Sequence, residues 1–192
     1  MMTFQQSLEH GQAGESAMSQ WLQDRGCAVF PAYEKLLDTG KGPQLFTAKG
    51  NFVLPDLLVF GEGAEKIVWV EAKTKTHFCW HRISQTWRTG IDLCQYRHYR
   101  EVQENTGIPV WLMFLHIESK PSQSDIAYGS PETCPSGLFG NALSELVRTE
   151  SDKTERHGRS GMVYWTQDAL LKLDDLTSFK SDGILELAPC GS

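Results

Sequence analysis

The sequence predicts an α/β fold in which a mixed sheet is flanked by helices. Three observations carry this. Two strongly apolar stretches, Phe52–Phe60 and Ile67–Ala72, are joined by six residues, GEGAEK, and read as an antiparallel strand pair. Val110–Ile117 is a continuous apolar run that reads as a buried strand. Between them, His81 to Asn105 carries Ile83, Trp87, Ile91, Cys94, His98 and Val102 at spacings of four and three, and Gly107 and Pro109 follow. That spacing predicts a long helix, whose crossover would bring the third strand in parallel to the second.

The remaining elements follow in order. Residues 3–25 read as helix, with Ala17, Met18, Trp21 and Leu22 at helical spacing and Gly26 as the stop; Gly11 and Gly14 place its regular part from about Gln12. Cys27–Phe30 is a short strand candidate before Pro31. Residues 38–51 are turn-rich, and residues 118–136 are polar with three prolines, hence loop. Leu138 to Arg148 reads as a short strand leading into a short helix. Residues 149–160 form a charged loop. Met162–Trp165 is a last strand, and Gln167–Leu173 a short helix capped by Thr166. No linker divides the chain, so 1–192 is expected to be one domain, with a core of about 10–117 and a C-terminal elaboration, 118–192.

Composition bounds the function. The 192 residues carry 18 basic and 24 acidic groups, a net charge of −6. No apolar run approaches the ~20 residues of a membrane span, and no secretory leader is visible. Five cysteines without a C-x-x-C pair argue against a disulfide framework or a zinc site and favour a reducing compartment. Charge is unevenly distributed. From Ala72 to Arg100 there are six Lys/Arg, including Lys75 and Arg88, one acid and three His. An acidic body with one basic segment suits a polyanion bound at one place.

The chemistry-bearing residues are two acids and a lysine. Asp56 lies in the first strong strand and Glu71-Ala72-Lys73 ends the second. Side chains alternate along a strand, so Glu71 and Lys73 share a face, and pairing of the two strands can set Asp56 beside Glu71. Two carboxylates held together repel each other unless a cation neutralises them. All-oxygen ligation suits Mg²⁺ or Mn²⁺. A lysine beside such an ion can orient an attacking water and offset charge developing on a phosphate.

The pattern P-D-x(14)-E-x-K resembles the PD-(D/E)XK nuclease superfamily. The resemblance implies a restriction-endonuclease-like α/β/α sandwich with a mixed central sheet. It implies Asp56 and Glu71 as metal ligands, the Ala72 carbonyl as another, and Lys73 as the catalytic lysine. Many members add a metal-site glutamate from the first helix, which here is Glu15, on one face with Met18 and Leu22. Gln95-x-x-x-Tyr99 downstream is similar to the motif of the RecB-type and phage-exonuclease branch. On a helix counted from Ile91, Gln95, Tyr99 and Arg88 fall on one edge of the buried stripe. The pair would steady Lys73, a water or the substrate backbone, with Lys75 and Arg88 on the nucleic acid. The implied activity is Mg²⁺- or Mn²⁺-dependent hydrolysis of DNA, exonuclease-like, in recombination, repair or phage DNA metabolism. A cytoplasmic microbial protein is expected, acting alone, as a homo-oligomer or with a recombination partner. Two alternatives stand beside it: a Holliday-junction resolvase or site-specific endonuclease with the same chemistry, and a non-catalytic nucleic-acid-binding or protein-interaction module. The cysteines do not reproduce the iron–sulfur set of that branch, and no cluster is expected. His77, Cys79 and His81 are read as loop or helix-start residues, Lys41 and Lys49 as solvated, and His116 as a satisfied residue ending a buried strand.

Overall fold

The computed structural model describes residues 4–32, 43–61, 66–155 and 160–180, the side chains of 4–10 and 180 excepted. The predicted class is the one observed, a mixed sheet between helices. In chain order the elements are α1 (Phe4–Gln23), β1 (Ala28–Pro31), β2 (Gln44–Thr47), β3 (Gly50–Val53), β4 (Leu57–Phe60), β5 (Ile67–Lys75), β6 (Cys79–His81) and β7 (Thr86–Asp92). There follow α2 (Leu93–Thr106), β8 (Val110–His116), α3 (Gln123–Ala127), β9 (Gly137–Ala142), α4 (Leu143–Arg148), β10 (Asp152–Thr154), β11 (Met162–Thr166), β12 (Leu171–Asp174) and α5 (Thr177–Lys180). Among the described residues no helix is long and apolar enough to cross a membrane.

The main sheet has the order β1-β4-β5-β8-β9-β12. Its neighbours are antiparallel except β5 and β8, which run parallel, as the long connection between them requires. The alternation along β5 separates two cores. Val70 and Ala72 pack with Met113 and Leu115 against Ala17, Met18 and Leu22 of α1. Trp69 packs with Leu112 and Phe114 against Tyr96, Tyr99 and Val102 of α2. Glu71 and Lys73 therefore belong to the α2 face and Ala72 to the α1 face.

A second sheet, β10-β11-β7-β6, and a small hairpin, β2-β3, complete the structure. They correct several expectations. The helix foreseen over 81–105 begins only at Leu93; residues 79–92 form the β6–β7 hairpin instead. Helix and strand compete here, because Thr86, Trp87, Thr89 and Ile91 are good strand formers. Pairing with β11 decides the matter. A Cβ at Gly90 would collide with the Val163 carbonyl, so glycine is needed where the strands close up. The stripe shifts accordingly to Leu93, Tyr96, Tyr99 and Val102, while Cys94 and Ile83 are exposed.

The stretch 52–60 is not one strand. Pro55 and its neighbours break it, so Phe52–Val53 pair with β2 and Leu57–Phe60 with β5. Residues 44–51, expected as turns, supply that small hairpin; residues 33–42 and most of the GEGAEK connection lie outside the described residues. The charged stretch 149–160 contributes β10. Residues 167–173 form a single 3-10 turn and then β12, and Thr166 gives no side-chain cap. Helix α1 starts at Phe4 and runs through both glycines.

Candidate active site

The site is built where β4 begins and β5 nears its end. Asp56 sits one residue beyond the Leu57–Val70 pair, which sets it across from Glu71. Its carboxylate accepts a hydrogen bond from the Ala72 N–H at 3.0 Å. Pro55 frees this geometry: the strand breaks before Asp56, and the side chain turns to the neighbouring strand's backbone rather than alternating within a ladder.

Glu71 is 1% exposed and its carboxylate is ion-paired with the Lys73 ammonium. The second oxygen of Glu71 is buried without a hydrogen bond. An ionised carboxylate in that condition is costly unless a cation completes its coordination. The Asp56 carboxyl is held well above the usual range by burial, then by the charges of Glu71 and Glu15, against the pull of Lys73. Burial alone would lower the Lys73 ammonium, but Glu71 and Asp56 push it up, so it stays charged.

Glu15 comes from the opposite layer. A Cβ at Gly14 would collide with Thr74, so the helix lies directly on the strand carrying Lys73. The charge of Glu15 is felt at both Asp56 and Lys73. The glycine that seemed to weaken the helix is what lets its glutamate approach. Among the described residues no three His, Cys, Asp or Glu side chains form a ready metal cage. The donor atoms gathered here are the carboxylate oxygens of Asp56 and Glu71, with the charge of Glu15 reaching both Asp56 and Lys73. All are oxygens, the chemistry that a hard divalent cation takes.

No protein-family model and no curated protein matches the chain. Among solved structures it is similar to Archaeoglobus fulgidus Hjc, a Holliday junction resolvase from an archaeal hyperthermophile. The identity is 9% and the TM-score 0.47, over 85% of this chain and 91% of that one. It is also similar to D212, a nuclease from a fusselovirus, at 12% identity and TM-score 0.43, over 95% of this chain and 98% of that one. Both likenesses are remote and neither bears on function; the side chains do.

The other expected site residues are placed as follows. Lys75 is next on the Glu71–Lys73 face; burial and the Lys73 charge lower its ammonium, which also senses Cys79 and Asp92 of the second sheet. Arg88 lies on β7, not on a helix edge shared with Gln95 and Tyr99. It is largely buried, with one amino group donating to Ser84 Oγ at 3.3 Å and the other 3.6 Å from Asp152. Gln95 is half-buried in the first turn of α2. Tyr99 is 1% exposed, in the centre of the core beneath the Glu71 face rather than at its edge. Both thus lie on the side of the sheet that bears Lys73. His77 stands 3.7 Å from Asp125, and His81 bonds Ser84 at 2.8 Å. His116 is fully buried and stacked on Phe78 at 3.6 Å; neither ring nitrogen makes a hydrogen bond of good geometry, and the backbone of His77 is the polar group that still acts on the ring.

Sequence reasoning missed the β6–β7 hairpin and its tip, Arg82–Gln85. The signal was present in the alternation of Thr86, Trp87, Thr89 and Ile91 after the polar Ser84-Gln85, but a helical spacing overlay it.

Proposed function

We propose that the chain is a divalent-metal-dependent nuclease that hydrolyses phosphodiester bonds in DNA, working from DNA ends, with residues 1–192 acting as one unit. The observation that carries this reading is the convergence of Asp56, Glu71 and Lys73, with a buried Glu71 oxygen left without a partner. Asp56, Glu71 and the Ala72 carbonyl would hold Mg²⁺ or Mn²⁺, with Glu15 as a further ligand. A bound cation would polarise the phosphate and acidify a water. Lys73, kept protonated by its two carboxylates, positions the water and offsets the charge gathering on the phosphate. Gln95 and Tyr99 act from behind: buried Tyr99 fixes the α2 side of the site, and the more open Gln95 steadies Lys73 or a water. Lys75 adds cationic field toward the backbone.

One incubation tests the reading: purified protein with Mn²⁺ against linear, nicked, closed-circular and branched DNA, with EDTA as control. The expected result is metal-dependent loss of linear DNA ahead of the closed circle. Discrete bands from the circle, or preference for branched DNA, would replace the end-working habit with an endonuclease or resolvase. Failure to cut any DNA would leave a binding module.

A further inference from the structure

Asp56 stands in the break between β3 and β4, outside both strands. Where its carboxylate points therefore depends on how the surrounding backbone is held. The Asp56 carbonyl accepts from the Ala32 N–H at 2.9 Å, which carries the β1–β4 pairing one residue further. On the other side, Pro55 has no N–H to give. The Leu54 N–H donates to the Pro43 carbonyl at 2.9 Å, inside the β2–β3 hairpin. The Val53 N–H leaves the hairpin: it donates to Nδ1 of His98 on α2, at 3.0 Å.

That last bond ties the approach to Asp56 to another layer. Among the described residues β2 and β3 pair only with each other, and two strands alone are at best marginally stable in water. Leu45, Phe52 and Leu54 pack against the core that α2 covers, which seats the hairpin. Apolar contact is non-directional and does not fix it to a fraction of an ångström. His98 supplies the direction. Its ring meets Phe52 edge-on, with centroids 6.0 Å apart and planes at 68°. Because its partner is a backbone N–H, Nδ1 is the unprotonated nitrogen and acts as the acceptor. Without it, a partly buried N–H three residues before Asp56 would lose its partner, and the segment would settle elsewhere to find one.

We propose that His98 is a positioning residue for the metal site: by accepting the Val53 N–H it fixes the Val53–Pro55 approach, and with it the Asp56 carboxylate opposite Glu71. It acts through the backbone and touches neither the cation nor the DNA. This rests on the nuclease reading, in which Asp56 holds the cation, and deepens it by assigning the group on α2 that sets Asp56 in place. Small displacements at a reacting centre are costly, so a bond this close in the chain to a metal ligand is felt in turnover.

The test compares His98→Leu with His98→Asn in the full chain. Leucine fills much of the space and accepts nothing; asparagine carries an amide oxygen at about the reach of Nδ1 and can accept the same bond. Mn²⁺ is titrated calorimetrically into the metal-free proteins. His98→Leu should weaken the Mn²⁺ Kd about three- to tenfold, the worth of one hydrogen bond. His98→Asn should stay within about twofold of wild type, because the acceptor is kept. On linear DNA with saturating Mn²⁺, His98→Leu should lower kcat by at least about tenfold with KM nearly unchanged, and His98→Asn should recover most of the loss. If His98→Leu shows no cooperative melt, His98→Gln, whose amide sits one bond too far out, is read against His98→Asn in its place. Wild-type Mn²⁺ affinity and kcat in the variant without the acceptor overturn the proposal. So does an asparagine variant as impaired as that one, since the acceptor would then not be what matters. Both results leave the nuclease reading intact when wild type cuts DNA. A wild type that neither binds Mn²⁺ nor cuts any DNA overturns both readings.

Discussion

The two larger sheets handle charge in opposite ways. The six-stranded sheet is covered on both faces, by α1 and by α2, yet keeps Glu71 in its interior. The four-stranded sheet buries one face, Ile91, Val163 and Trp165, and leaves Asp92, Tyr164 and Asp152 of the other at least partly open, with Arg88 largely covered among them. In the first sheet a charge is held in low dielectric, where each neighbour shifts it strongly. In the second, charges lie near water and act as a surface. The first is suited to chemistry and the second to grip.

The largest effect is expected in the covered sheet. Lys73→Ala, Asp56→Ala and Glu71→Ala should each lower DNA hydrolysis by at least about a hundredfold, the scale of removing one electrostatic stabiliser. Binding of uncut DNA, read by anisotropy in Ca²⁺, should change far less. Full activity in Lys73→Ala would break the division between the sheets and the assigned mechanism with it.

A smaller effect sharpens the same contrast through stability. Asp56 holds its proton more tightly in the folded protein than a free carboxyl does, through burial and the Glu71 and Glu15 charges. The native state therefore binds more protons than the unfolded state as pH rises above the ordinary carboxylate range. Stability contributed by the group is full at low pH and lost as pH climbs through the raised pKa. Metal-free Asp56→Asn should lack this loss and be more stable than wild type at neutral pH by roughly 1 kcal/mol, about 2–4 °C in Tm. It should also lose the Tm increase that Mn²⁺ gives wild type. A strongly destabilised Asp56→Asn would make Asp56 a structural group.

His116 gives the opposite pH dependence from the same sheet. Burial, with Lys75 beside it, lowers its imidazole to about 3. A group whose folded pKa is depressed stabilises the fold above its unfolded pKa and loses that contribution as pH falls toward the folded value. Below about pH 6.5 the unfolded chain takes up the proton and the native one does not. His116→Phe keeps a ring among Phe78, Phe114 and Phe139 and removes both ring nitrogens. Thermal melts from pH 7 to 4 should show wild type losing stability faster than this variant, with a difference that grows to roughly 3 kcal/mol by pH 4. Parallel pH profiles would mean that His116 is protonated or hydrated in place.

The same contrast governs how much could be read from the sequence. The covered sheet was legible because its central strands are continuous apolar runs and the β4–β5 pairing is local; Asp56, Glu71 and Lys73 fall together once that hairpin is drawn. The small sheet was not. Its strand β7 is held by β11, some seventy residues later, and no local signal records that partner. Ile83, Trp87, Ile91 and Cys94 happen to repeat at helical spacing, so a turn, a strand and a helix start passed as one helix. The error carried into the site: an edge position counted from Ile91 becomes, on the true helix from Leu93, a place in the core for Tyr99.

The smallest expected effect concerns the helix that touches both sheets. Helix α2 packs Tyr96, Tyr99 and Val102 on the core beneath Glu71, and it is joined end to end with β7 of the open sheet. Gln95 sits on its first turn with part of its surface exposed. If Gln95 steadies Lys73 or a water, its amide is used mainly in the transition state, and truncation should lower kcat while leaving KM nearly unchanged. A loss of about three- to tenfold is expected for Gln95→Ala, since one neutral hydrogen bond is worth about 0.5–1.5 kcal/mol. Gln95→Glu keeps the length and one acceptor but adds a negative charge near two carboxylates. It should therefore be worse than alanine if the residue lies beside the metal-binding acids, and no worse if it serves only the open sheet. A rise in KM with unchanged kcat in both variants would move Gln95 from the chemistry to the grip, and α2 would then belong functionally to the second sheet.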